Sequence, residues 1–160
     1  MLKFRRINYN EVEILKNMTL RSADTDELRA ATGIKNTWVA LKYCVQQSSE
    51  WIEIGYHPDT GEIITIFGLS KTLDHFEEDI IIGVPWMMAS PNLIKHKKLL
   101  MRYSKKVIGE MLDQFPYLAN YVDSRNVVHI NWLKRMGFKL PEGMTIKINK
   151  VKFQYFYKER

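Results

Sequence analysis

The stretch that most constrains this chain is residues 117–140, YLANYVDSRNVVHINWLKRMGFKL, which reads as strand, turn, helix and strand. Residues 118–122 form a short apolar run bounded by turn residues, which suits a buried strand. Asp123, Ser124 and Arg125 break it. Asn126 can cap a helix, because its side-chain oxygen can accept a bond from an orphan amide of the first turn. Val127, Ile130, Leu133 and Met136 then recur at a spacing of three and predict one apolar stripe. Lys134 and Arg135 stand in the last turn, where the helix dipole favours positive charge. Gly137 is the expected left-handed terminator, and Phe138 returns the chain to the core.

The segment before it fixes the topology. Residues 80–89 are a continuous apolar run, the signature of a strand covered on both faces. Residues 99–115 place apolar side chains at spacings of three and four, and Pro116 stops that helix. Strand, helix and strand over 80–122 make a crossover unit, so its two strands are expected to be parallel and adjacent, with a right-handed connection.

The flanks are simpler. A first strand is expected over residues 2–7, which carry Phe4 and Ile7. Three short helices follow, capped by Asn10 with Glu13, by Asp24 or Thr25, and by Thr37. These helices read equally as the wall of a substrate cleft or as scaffold. Residues 51–56 and 62–69 pair as a hairpin about the turn Pro58-Asp59-Thr60-Gly61. The acidic link 74–79 is expected to be solvated. A last hairpin turns at Asn149-Lys150, with Val151, Phe153, Tyr155 and Tyr157 on one face. No linker, repeat or low-complexity tract divides the chain, so residues 1–160 are expected to form one domain.

Composition excludes several classes. Hydrophobic residues make up 46% and charged residues 26%, which argues against wholesale disorder. No apolar run approaches the ~20 residues of a membrane span. The N-terminal segment lacks the apolar core of a signal peptide, and the single Cys44 fits a reducing cytoplasm. One cysteine and four scattered histidines give no metal-ligand spacing, so no metal is expected. The net charge of +6 suits a solvated surface or an anionic ligand. The aromatics of the last strand alternate as a sheet core does, so nucleic acid is not the expected partner.

Val122, Asn126, Gly137 and Phe138, in this strand order, resemble the second half of a GNAT-type (GCN5-related) N-acetyltransferase domain. The likeness spans residues 63–157. A narrower resemblance, carried by GVPWMMAS, by FPYLANYVDSRNVVHINWLKRMGF and by the tail FQYFY, is to the GNAT-like internal virion protein A family of short-tailed bacteriophages. The resemblance implies an α/β (α+β) fold. Its sheet is mixed and mostly antiparallel, with six to seven strands, a central parallel pair splayed at its carboxyl ends, and helices on both faces. It implies acetyl-CoA as cofactor and an amine of a protein or small molecule as acceptor. It also implies a host cytoplasmic protein that can associate with the virion.

Several residues then become candidates. In a strand-helix-strand unit, ligands sit off the carboxyl ends of the strands, and a helix N-terminus offers free amides to an anion. The family rests the coenzyme A pyrophosphate there on a glycine-rich segment. This chain has SPNLIKHKKLL, with Lys95, His96, Lys97 and Lys98 in place of close glycine backbone. The resemblance implies that the main chain of Met87, Met88 and Ala89 meets the pantetheine arm, and it adds Asn126. The adaptable thioethers of Met87 and Met88 suit such a slot or simply core. The family's general acid is a Tyr seven residues after the helix Asn, a position that is Leu133 here. His129 and Tyr121 are the alternative catalytic candidates. Glu77, Glu78, Asp79, His57 and His75 are candidate bases in or beside loops. Two functions stay open: a GNAT-type N-acetyltransferase, or a catalytically degenerate relative that acts by protein contact.

Overall fold

The structure, a computed structural model, describes residues 1–73 and 80–160. The acidic link 74–79, and with it His75, Glu77, Glu78 and Asp79, lies outside the described residues. The strands are β1 (Lys3–Ile7), β2 (Trp51–Tyr56), β3 (Ile63–Leu73), β4 (Ile81–Ala89), β5 (Tyr117–Asp123), β6 (Thr145–Ile148) and β7 (Val151–Glu159). The α-helices are α1 (Ser22–Thr32), α2 (Thr37–Gln47), α3 (Lys97–Gln114) and α4 (Val127–Arg135), and 3-10 turns cover Tyr9–Leu15 and Pro91–His96. The strands form one sheet in the order β1-β2-β3-β4-β5-β7-β6. All described neighbours are antiparallel except β4 and β5, which are parallel and share a single ladder pair, Gly83 with Leu118. Beyond that pair the two strands diverge.

Strand alternation feeds two cores. Ile52, Ile54 and Ile66 face α1 and α2 and pack with Leu28, Leu41 and Val45. Trp51, Phe67 and Leu69 face the other way and pack with Val107, Ile108, Met111 and Leu133 of α3 and α4. Each fully buried side chain of this kind contributes roughly 1.5–3 kcal/mol. Gly68 leaves room for a large ring beside it, since a Cβ there would lie 2.1 Å from the Trp86 indole. At the β6–β7 turn, Asn149 and Lys150 both take positive φ, at 48° and 68°, the pattern of a tight two-residue hairpin.

The helix starts differ from the sequence expectation. The first turn is 3-10, and Asn8 with Glu11 brackets it: Glu11 Oε2 accepts the Asn8 amide at 2.9 Å. Asn10 and Glu13 therefore lie inside that turn. Asn36 rather than Thr37 caps α2, by accepting the Val39 amide at 3.0 Å. Asp24 and Thr25 fall inside α1, which starts at Ser22 and ends at left-handed Gly33. Leu133 of α4 and Met136 at its end are buried as expected, but Val127 is 59% exposed, because it stands at the first position of α4, before the turns that pack into the core. Among the described residues no helix is long and apolar enough to cross a membrane.

Candidate functional site

The divergence of β4 and β5 opens a gap in the sheet. Its edges can be read from the hydrogen bonds. The Asn120 side-chain amide donates to the Pro85 carbonyl across the gap at 2.9 Å. At the far end of β4, the Ala89 amide donates to Asp24 Oδ2 at 3.0 Å, and the Ala89 carbonyl accepts the Arg21 amide at 2.9 Å. Positions 85 and 89 thus turn their backbone groups away from β3. Position 88 turns the other way, and its carbonyl accepts the Thr65 hydroxyl at 3.2 Å. Met87 lies between, so alternation points its N–H and C=O into the gap. The same alternation explains a proline in a central strand: the N–H that Pro85 lacks would have faced the gap, not the β3 ladder.

Against this gap, on the face covered by α3 and α4, lies a cleft of about 530 Å³. Met87, Met88 and Ala89 form its floor. Leu93, Ile94, Lys97, Leu100 and Met101 form one wall, and Val128, His129, Trp132 and Arg135 of α4 form the other. Arg21 and Asp24 close one end. The lining is apolar along its length and carries the cations Arg21, Lys97 and Arg135, an arrangement suited to a long ligand with an anionic part.

α1 braces the open ends of both strands with two carboxylates one turn apart. Asp24 holds Ala89 of β4, and Glu27 Oε1 accepts the amide of Asp123 in β5 at 2.9 Å. Asn126 joins them: its Nδ2 donates to Asp24 Oδ1 at 3.0 Å and to Glu27 Oε2 at 2.8 Å. Its Oδ1 accepts Arg21 Nη2 at 3.0 Å and caps α4 at the His129 amide at 3.4 Å. Asp24 and Asn126 are only 4% and 1% exposed, so a charge is buried here. Two amide donors and the Arg21 guanidinium, 3.5 Å away, offset its desolvation.

His129 completes the cluster. Its Nδ1 is buried 3.5 Å from Glu27 Oε2 with no hydrogen-bond partner among the described residues, and its ring tilts against Trp132 with centroids 5.6 Å apart. Asp24, Glu27 and His129 each bring one potential ligand atom within 4.8 Å of the others, a grouping that sequence spacing had not suggested. All the oxygens of both carboxylates already accept amide hydrogens, so the group stands as a hydrogen-bonded cluster.

Of the residues expected from sequence, Met87, Met88, Ala89, Lys97 and His129 meet in the cleft. Lys95, His96 and Lys98 fall outside its lining, and Asn126 stands behind it with its side chain committed to α1. Tyr121 alternates onto the opposite face of the sheet, where its ring lies 5.4 Å from that of Tyr155. Leu133 is buried in the core at 2% exposure. His57 lies beside Asp59, just after β2, away from the cleft. Sequence reasoning missed Arg21, Glu27, Trp132 and Arg135 and took Asp24 only for a cap. The signal was present, because Asp24 and Glu27 sit beside Leu28, on the side of α1 that must turn inward.

Comparison with known proteins fits this geometry. A family model described as Bacteriophage T7, probable scaffold protein Gp13, matches residues 81–145, less than half of the chain. No curated protein matches the chain in sequence. Solved structures match along its whole length. AAC(6')-Ib in complex with ribostamycin and coenzyme A aligns with a TM-score of 0.71 at 14% identity, over 99% of this chain and 93% of that one. A ribosomal-protein-alanine N-acetyltransferase from Brucella melitensis aligns with a TM-score of 0.66 at 9% identity, over 99% of each chain. An acetyltransferase of the GNAT family from Streptococcus pneumoniae aligns with a TM-score of 0.61 at 13% identity, over 99% of each chain. At such identities the likeness is one of fold, and the fold is that of the GNAT acetyltransferases.

Proposed function

We propose that this chain is a bacteriophage GNAT-type N-acetyltransferase that binds acetyl-CoA in the cleft and acetylates an amine on a small molecule or protein. One observation carries the reading: the backbone of Met87 faces an unpaired gap directly over a cation-bearing cleft, in a fold shared with acetyltransferases. The cleft residues fit the cofactor's chemistry. The Met87 amide and carbonyl match the amides of a pantetheine arm. Leu100, Met101 and Trp132 exclude water from it, and Lys97 and Arg135 match its phosphates. When bound, acetyl-CoA supplies an activated thioester. Support for a phage source is the family model over residues 81–145 together with the internal virion protein resemblance. Titration calorimetry with acetyl-CoA at low salt tests the reading: binding is expected, and no heat from a folded sample at high micromolar cofactor overturns it.

A second reading has its own support. Asn126 and the backbone of Ala89 are committed to α1, the loop after β4 holds no glycine, and Leu133 cannot donate a proton. On that reading the fold is kept and the protein acts by contact in particle assembly or against a host target. Absence of cofactor binding, together with capture of a defined phage or host protein, would favour it.

A further inference from the structure

We propose that His129, held by Glu27, is the proton-transfer residue of the cleft; this rests on the acetyltransferase reading above. The imidazole lines the cleft from α4. Its Nδ1 is buried, has no hydrogen-bond partner among the described residues and lies 3.5 Å from Glu27 Oε2. A buried donor beside a carboxylate is a pair waiting to tighten, since such bonds are often long before substrate binds. With Nδ1 turned to Glu27, Nε2 is the nitrogen that faces the cleft.

Glu27 is itself fixed, because Oε1 accepts the Asp123 amide and Oε2 accepts Asn126 Nδ2. The arrangement is a base oriented by a carboxylate that is oriented by amides. It sits between the ends of β4 and β5, because Asp24 ties Ala89 and Glu27 ties Asp123. Trp132 shields one side of the ring. Tyr121, the other sequence candidate, faces away from this cleft.

The step balances. The acceptor enters as the free amine, and its nitrogen forms a bond to the thioester carbonyl carbon while Nε2 takes one N–H proton. The carbon–sulfur bond breaks with its electron pair on sulfur, and the imidazolium returns that same proton to the thiolate. Glu27 stabilises the transient positive charge through the Nδ1 hydrogen.

Three measurements test the assignment. The His129 ring resonances, assigned by their loss in His129→Gln, should shift when coenzyme A is added. Thiol release from acetyl-CoA with glycinamide as acceptor should fall at least tenfold in His129→Gln, with acetyl-CoA affinity and melting temperature kept. In His129→Gly, added imidazole should restore part of the rate, which a merely structural role would not allow. Should His129→Gln unfold, His129→Asn assigns the ring resonances in its place, and the ring shift and the imidazole rescue decide. A parent that binds acetyl-CoA yet shows unmoved His129 resonances, releases no thiol above background, or matches His129→Gln in rate overturns the proposal. A parent that does not bind acetyl-CoA overturns the underlying acetyltransferase reading instead.

Discussion

The carboxylate of Asp24 takes the amide hydrogen of Ala89, a residue 65 positions further along the chain, at 3.0 Å. A helix near the start of the sequence thus closes the end of a strand in the middle of it. The contact is buried, so its loss should be felt in stability before it is felt anywhere else.

Asp24→Ala leaves the Ala89 amide and one Asn126 amide hydrogen without their partner and removes the carboxylate beside the Arg21 guanidinium, which keeps Asn126 Oδ1. The expected cost is about 2–3 kcal/mol, the upper part of the roughly 1–3 kcal/mol for stranding a buried polar group, because two donors lose their acceptor together. Asn126→Ala should exceed the ~1 kcal/mol of a bare helix cap, because it also leaves Asp24 and Glu27 facing each other unbridged. The double variant should cost less than the sum of the two, since both break one network. Urea unfolding with an unchanged m-value measures all three, and strict additivity would contradict the network.

Lys97 and Lys98 are neighbours in sequence but not in role. Lys97 lines the cleft and Lys98 does not. Lys97→Glu should weaken acetyl-CoA binding several-fold or more, and the parent's affinity should fall as salt rises, because an exposed ammonium is screened. Lys98→Glu should leave the affinity within about twofold. Calorimetry of the two single variants at two salt concentrations reads the difference.

Burial in the α2 core pushes the Cys44 thiol up to about 11. The thiolate is the reactive form, so folded protein should alkylate far more slowly at pH 8 than the same protein in denaturant. Equal rates in the two states would mean that α2 opens readily.

Tyr103 on α3 donates its hydroxyl to the buried Glu53 and stacks on Phe4, 3.4 Å between centroids. Desolvation and that carboxylate push the phenol well above its ordinary value. A raised folded value means the neutral phenol contributes stability that is complete below the unfolded value of about 10. That contribution is lost as the pH climbs past 10. The melting temperature of the parent should therefore drop more steeply above pH 10 than that of Tyr103→Phe.

The crossover unit was legible in the sequence because its signals are local. An apolar run, a three-four spacing, a proline stop and an Asn cap each act within a few residues, and β4, α3, β5 and α4 fall close to where those signals put them. The caps of the N-terminal helices were off by one to four positions, because Asn8, Asn10, Ser22, Asp24, Asn36 and Thr37 are all chemically able to cap, and tertiary contact decides among them. Met87, Met88 and Ala89, the floor of the cleft, were named through the family resemblance, since by residue type alone they read equally as core. The brace across its end was not, since Asp24 and Glu27 acquire meaning only once Ala89, Asp123 and Asn126 come to meet them.

Asn149 Nδ2 also donates to the Ala30 carbonyl at 2.8 Å, so the last hairpin's turn is tied to α1 as well. The partners of this one eleven-residue helix lie 65, 96, 99, 102 and 119 positions away along the chain. During synthesis α1 is made early and must wait for nearly the whole chain before its polar inner face has anything to bond. The cleft's end, the start of α4 and the turn of the C-terminal hairpin thus share one tie, and an opening of α1 should loosen all three together.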